Sequence, residues 1–206
     1  TPQGLAMRER GDTVFTIVHN VASQDNMIPD VVLVPESGHW AWLLDHQRGQ
    51  LFRVDLRTKG KITEIALPNS FTLDQRFSGV TLANNELFLI NRQGVACVIA
   101  PSPTGEYRAR AIVLSSLPGS EFFVSATSGL STCIADHKNR VWFSGVNGVM
   151  RFDTRTDRFR YVPLDLPLPE RAEGYVVNPI SVDAQDRITA YDPSIGVVIA
   201  DPQRPF

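Results

Sequence analysis

Apolar residues occur along this chain in runs of four to eight, rich in Val, Ile, Leu, Phe and Trp and bounded by Gly, Pro, Asn, Asp or Ser. Runs of this kind are strand signatures, and no three-or-four apolar spacing lasts for the several turns a helix needs. The runs recur in a fixed order: an apolar strand, a polar turn, a second strand, a glycine turn, and a third strand often ending in aspartate. The clearest copy is Ile134-Ala135-Asp136, a turn at His137-Lys138-Asn139, Val141-Trp142-Phe143, a turn closed by Gly148, and Val149-Met150-Arg151-Phe152-Asp153. The order repeats around Gly49 (Trp40 to Leu44 before it, Leu51 to Asp55 after), around Gly94 (Leu87 to Ile90, Val95 to Ile99) and around Gly196 (Ile188 to Tyr191, Val197 to Asp201). These glycines stand about 45 to 54 residues apart, the period expected of propeller blades. Asn84-Asn85 and Asn147-Gly148 tolerate positive φ and predict tight hairpin turns.

A fourth, more polar strand follows in three repeats: Lys61 to Leu67, Tyr107 to Val113 and Phe159 to Pro163. Charged residues and Thr alternate there with apolar ones, as on an edge strand with one wet face. The innermost strands (Val31 to Val34, Val80 to Ala83, Leu130 to Ala135, Pro179 to Val182) are small and apolar, as crowding around a central axis requires. The expected fold is all-β: one propeller domain over residues 1–206, built of about four four-stranded antiparallel blades at 31–67, 79–113, 130–163 and 179–201. The fourth repeat lacks its outer strand, and Thr13 to Val18 forms a strand with no hairpin partner of its own. Pairing these leftovers closes the ring; the rival is an open piece of a longer propeller.

Composition narrows the function classes. With 206 residues, 43% of them hydrophobic, the chain can bury one substantial core. A formal net charge of −2 gives no basic face for nucleic acid. No apolar run approaches the roughly 18 residues of a membrane span, and the Thr1-Pro2-Gln3-Gly4 start is not a signal peptide; the chain fits a mature or excised segment with no membrane contact of its own. Cys97 and Cys133 lie in no paired metal-binding motif, so two apolar thiols are expected in preference to a bridge between blades.

The segment from Asp136 to Asp153 resembles the two-component regulator propeller repeat: aspartate before a polar turn, Trp142-Phe143, a small-residue step at Ser144-Gly145, Asn147-Gly148, and an apolar-basic-aromatic-Asp ending. The first repeat keeps Trp42, Gly49 and Arg53-Val54-Asp55; the second keeps Phe88 and Gly94; the fourth keeps Asp183, Gly196 and Asp201. The resemblance implies an extracytoplasmic (periplasmic or extracellular) sensor domain in bacterial signal transduction, joined to a kinase, cyclase or DNA-binding output module outside this chain. Members usually carry many more than four blades.

Enzymatic chemistry leaves few marks. There is no Gly-x-Ser-x-Gly elbow, His-Glu-x-x-His, P-loop or GxGxxG. His19, His39, His46 and His137 read as solvated turn residues scattered over different repeats. Recurrence of Asp55, Asp153 and Asp201 at one place in each blade predicts a turn-capping role. Ligand contact in a propeller comes mainly from the loops entering each blade, here Ser23 to Asp30, Asn69 to Ser78, Ser115 to Gly129 and Pro167 to Asn178. Their candidate ligand-binding residues are Arg76, Glu121, Phe122, Phe123, Arg171, Glu173, Tyr175 and Asn178, with no catalytic residue, metal ligand or cofactor expected. The reading is a non-enzymatic sensory domain binding an unknown small molecule or protein. The alternatives are a lactonase-like or lyase-like metal enzyme, drawing on Glu36, Asp74, Glu121, Glu173 and Asn178, and a structural module that forms a homodimer through blade edges.

Overall fold

The computed structural model describes residues 4–7, 16–20, 31–35, 39–45, 49–57, 61–72, 78–91, 93–120, 133–146, 148–163, 176–192 and 196–201. The chain divides into two compact units, Thr1–Gln75 and Arg76–Phe206. The first holds β1 (Gly4–Met7) and β2 (Thr16–Asn20) as an antiparallel pair. It also holds a four-stranded antiparallel sheet of β3 (Val31–Pro35), β4 (Trp40–Asp45), β5 (Gln50–Asp55) and β6 (Lys61–Ile65), neighbours in chain order. The second unit opens with the same motif: β7 (Ser78–Thr81), β8 (Leu87–Ile90), β9 (Val95–Pro101) and β10 (Tyr107–Val113). Next come β11 (Cys133–Ala135), β12 (Arg140–Val146), β13 (Gly148–Asp153) and β14 (Arg158–Pro163), then β15 (Val176–Val182), β16 (Ile188–Asp192) and β17 (Gly196–Ala200).

Strand formation follows the sequence pattern closely. In β10 exposed and more buried positions alternate, as do Arg158, Phe159 and Arg160 at the start of β14, matching the alternating Arg and apolar residues. β8 is buried at all four positions, matching its unbroken run Leu-Phe-Leu-Ile. The hairpins use one recurring five-residue turn. The amides of Leu82, Asp136 and Asp183 donate to the carbonyls of Glu86, Arg140 and Arg187, and the amides of Asn85, Asn139 and Asp186 donate back to the first residue. Those fourth residues have φ of 64°, 61° and 65°. This is a type I turn closed by a left-handed residue, which Asn and Asp adopt at low cost. Gly94 fills the same position in the turn from Asn91 to Val95.

The core of the second unit lies between successive sheets. Leu82, Phe88, Ile90, Ala96, Val98, Ile112 and Leu114 of the β7–β10 sheet pack on Val141, Phe143, Met150, Phe152 and Phe159 of the next. Phe88, Phe143, Phe152 and Phe159 meet as tilted rings with centroids 5.1–6.2 Å apart. On the other side of the β11–β14 sheet, Trp142, Val149 and Val162 pack on Val177, Ile188 and Ala190. The β11–β14 strands thus present one apolar face to each neighbouring repeat, which is how radially arranged blades bury their surfaces. The short first strands also gather, β11 lying beside both β7 and β15.

Three expectations need correction. The N-terminal strand does have a hairpin partner: β2 pairs with β1 over Gly4↔Asn20, Leu5↔His19, Ala6↔Ile17 and Met7↔Thr16. The pair forms a two-stranded sheet of its own among the described residues, and Thr13, Val14 and Phe15 lie outside them. Next, β12 splits between two partners. Its residues Val141 to Phe143 pair with β11, whereas Gly145 and Val146 pair with Val177 and Val176 of β15, so the last two repeats share one continuous sheet.

Finally, Gly148 serves close approach rather than positive φ. A Cβ there would fall on the carbonyl oxygen of Val162, 2.9 Å from Tyr161 Cε2 and 3.0 Å from Pro163 Cα. Gly148→Ala is therefore expected to lose about 1–3 kcal/mol by forcing β14 away from β13, an overpacking cost. Urea denaturation measures it, and an unchanged midpoint would show that β14 can shift freely.

Candidate functional site

Among the described residues, a dense polar centre forms where the turn at the start of β12 meets the turn between β15 and β16. Asp136 heads the first turn. Its Oδ1 accepts the amides of Lys138 (2.8 Å) and Arg140 (3.1 Å), and its Oδ2 accepts Arg140 Nε (2.5 Å) and Trp142 Nε1 (2.8 Å). The side chain is fully buried. Arg140 continues outward, donating from Nη2 to Asp186 Oδ1 (2.5 Å), and Lys138 Nζ donates to Asp186 Oδ2 (2.7 Å). Asp183 repeats the first motif in the next turn, accepting the amides of Gln185 and Arg187 and the Arg187 Nε at 2.6 Å.

Electrostatics fixes the charge state of this chain of groups. Burial works against the Asp186 carboxylate, but the bonds from Lys138 and Arg140 outweigh it and hold its pKa below the usual carboxylate value. Burial also opposes the Arg140 guanidinium, and the two carboxylates outweigh that as well, raising its pKa. Opposite charges matched in this way form a clasp between repeats. A carboxylate pinned as an anion by two cations is a poor general base at neutral pH. The same turn is also tied to the β7–β8 turn, since Asn139 Oδ1 accepts the amide of Asn84 at 2.9 Å. Arg110 donates to both carboxylate oxygens of Asp157 at 2.9 Å and to the Thr154 carbonyl at 2.6 Å.

Asp55 and Asp153 do the turn-capping job expected of them: each Oδ1 accepts the amide two residues on, from Arg57 and Arg155, at 2.9 Å. His39 is more than a solvated turn residue, since its ring lies 5.2 Å from Trp40 and its Nε2 lies 3.6 Å from Asp55 Oδ1. His19 sits within β2, and His137 is an exposed turn residue as expected. Cys97 and Cys133 are not joined in a disulfide; Cys97 is buried, and burial pushes its pKa up to about 12, whereas Cys133 is half-buried. Among the described residues, no three His, Cys, Asp or Glu side chains converge as a metal site would require.

Of the sequence-derived ligand candidates, Arg76, Glu121, Phe122, Phe123, Arg171, Glu173 and Tyr175 lie outside the described residues, as do Glu36, Asp74 and His46. Asn178 is described. It stands in β15, and its Oδ1 accepts the buried Ser144 hydroxyl at 2.7 Å, just where β12 crosses to β15. That bond gives Asn178 a place in the junction between repeats. The clasp escaped the sequence reading although its signal was present: Asp136 and Arg140 have the same spacing as Asp183 and Arg187, at the same hairpin of successive repeats.

No protein-family model and no curated protein matches the sequence. Solved structures do match it in fold. The extracellular domain of a protein described as a one component system of B. thetaiotaomicron is 15% identical, with a TM-score of 0.50 over 100% of this chain and 25% of that one. This chain thus spans about a quarter of that protein's length. Regucalcin from Agrobacterium tumefaciens, a calcium-binding protein, is 14% identical, with a TM-score of 0.52 over 96% of this chain and 69% of that one. At these identities the likeness concerns fold, and the fold is all-β, of several antiparallel sheets of the propeller type. No helix among the described residues is long and apolar enough to cross a membrane.

Proposed function

We propose that the chain is a non-enzymatic sensory domain, one propeller with blades at 31–67, 79–113, 130–163 and 179–201, which binds a small molecule or protein through its blade-entering loops. The observation that carries this reading is the fate of the acidic residues. Asp55, Asp136, Asp153 and Asp183 each hold turn amides, and Asp136 and Asp186 are also paired to cations, so these carboxylates serve the frame. Recognition is left to the loops that carry Arg76, Glu121, Phe122, Phe123, Arg171, Glu173 and Tyr175, where aromatic and charged groups stand together in sequence. The repeat resemblance and the fold shared with an extracellular one-component-system domain agree with a place outside the cytoplasm, upstream of an output module.

The competing metal-enzyme reading makes an opposite prediction, and the fold shared with a calcium-binding protein makes calcium the first ion to try. A cation bound by the folded state alone raises its stability in proportion to log concentration. Calcium, magnesium and zinc are expected to leave the melting temperature nearly unchanged, and lactones and esters to pass unhydrolysed. A rise of several degrees with one of these ions, lost in Glu121→Gln or Glu173→Gln, would overturn the sensory reading. In a thermal-shift screen of small molecules, stabilisation by a hit should disappear in Arg171→Ala or Tyr175→Ala.

A further inference from the structure

One row of directly opposed residues crosses β12, β13 and β14 on the face that carries Trp142: Trp142, then Arg151, then Arg160. The last two place like charges directly opposite each other on neighbouring antiparallel strands, an arrangement that destabilises a sheet. Neither finds a carboxylate. Among the described residues, no side-chain hydrogen bond or ion pair involves Arg151 or Arg160. Arg151 is half-buried and Arg160 exposed. The Arg151 guanidinium carbon lies 5.8 Å from the centre of the Trp142 ring, and that of Arg140 lies 5.6 Å from the same ring, so cation–π attraction draws both towards one place. The carboxylates that bear on Arg151 are Asp136 and Asp186, and both are already bonded to Arg140, Asp186 to Lys138 as well. Asp153, in the next row, stands opposite Arg158, and its Oδ1 holds the Arg155 amide. Burial, then the charges of Arg140 and Arg160, lower the Arg151 pKa, and Asp136 and Asp186 restore only part of it.

We propose that Arg151 and Arg160 form an anion site for a phosphate group, free or as a monoester. The two guanidiniums stand at one register position of adjacent strands, so both forks can close on a single tetrahedral oxyanion, each through paired N–H···O bonds. A phosphate monoester carries close to two negative charges near neutral pH, matching two unpaired guanidiniums, whereas a single carboxylate brings one. Binding turns a repulsion between β13 and β14 into a bridge across them. Trp142 does not touch the anion: it is buried, and it serves by holding the Arg151 guanidinium beside its ring. The site shares no residue with the loop candidates, and the proposal does not depend on what the entering loops bind.

Thermal unfolding of the full chain in phosphate and in chloride, at matched ionic strength, tests it. The expected result is a rise of about 2–4 °C in melting temperature at about 20 mM phosphate. Phosphate also stabilises folded chains by exclusion from their surface, and that general effect survives any single substitution. Arg151→Gln and Arg160→Gln should each lose the rise, whereas Arg158→Gln, one row away, should keep it. In chloride Arg160→Gln should be at least as stable as the parent, because it removes the repulsion from an exposed position. Calorimetric titration with inorganic phosphate gives the direct reading: heat of binding in the parent and none in Arg160→Gln. Methyl phosphate run in parallel separates an ester from the free ion, a response to either supporting the site. A melting temperature indifferent to phosphate would overturn the proposal, as would a rise that persists in both glutamine variants. A response to succinate as large as that to phosphate would overturn the assignment to phosphate.

Discussion

Trp142→Ala is expected to lose about 3–5 kcal/mol of folding stability, the range for deleting a large buried aromatic. Trp142 is 1% exposed and packs with Val149 and Val162 of its own repeat against Val177, Ile188 and Ala190 of the next repeat. Its removal opens a void where two repeats meet, and rigid strands on both sides limit collapse. For a domain of this size the loss corresponds to roughly 6–20 °C in melting temperature. Chemical denaturation followed by tryptophan fluorescence and circular dichroism measures it. A loss below about 1 kcal/mol would mean that the void closes at little cost, and the packing of the third repeat on the fourth would need redrawing.

Asp136→Ala should match or exceed that effect, at about 3–5 kcal/mol, because it strips the partner from a buried cation. The substitution leaves Arg140 Nε, the Trp142 indole N–H and the amides of Lys138 and Arg140 without their shared acceptor. A double-mutant cycle separates the contributions. Trp142→Phe removes the indole N–H while keeping most of the apolar bulk, so its cost should shrink in the Asp136→Ala background, where the bond is already lost. Additive costs would show that the indole bond contributes nothing beyond packing. Asp136→Asn is the milder companion, since its amide keeps acceptor oxygen for the turn while losing the charge that faces Arg140.

Much of this fold could be read directly along the chain. Periodicity located most of the strands to within a residue or two, because a pleated strand half-buried between layers needs alternating or unbroken apolar runs of a limited length. Tyr107 to Val113 matches β10 throughout, and Phe159 to Pro163 falls one residue short of β14. The turn-capping of Asp55 and Asp153 was equally local: a short side chain reaches the amide two residues ahead whatever the rest of the molecule does. Trp142 declared its burial through the apolar strand around it. Such features depend on neighbours in sequence, and sequence alone determined them.

Other features depend on which strands meet, and only the tertiary structure decided those. Nothing local distinguishes a strand that lacks a partner from one whose partner lies a dozen residues back, so the pairing of β1 with β2 appeared only with the register in hand. The crossing of β12 from β11 to β15 joins Gly145 and Val146 to Val177 and Val176, and the Ser144–Asn178 bond at that crossing joins residues 34 positions apart. The clasp between Arg140 and Asp186 spans 46. Sequence supplied both charges and their spacing within each turn, but the pairing of a buried guanidinium with a carboxylate from another repeat is set by how closely the two hairpins pack. The exposed Val197 and Ile199 of β17 complete the contrast: the strand was legible in the sequence, whereas the exposure of these side chains is a property of the assembled sheet, because burial is decided by what packs on a face rather than by the residues themselves.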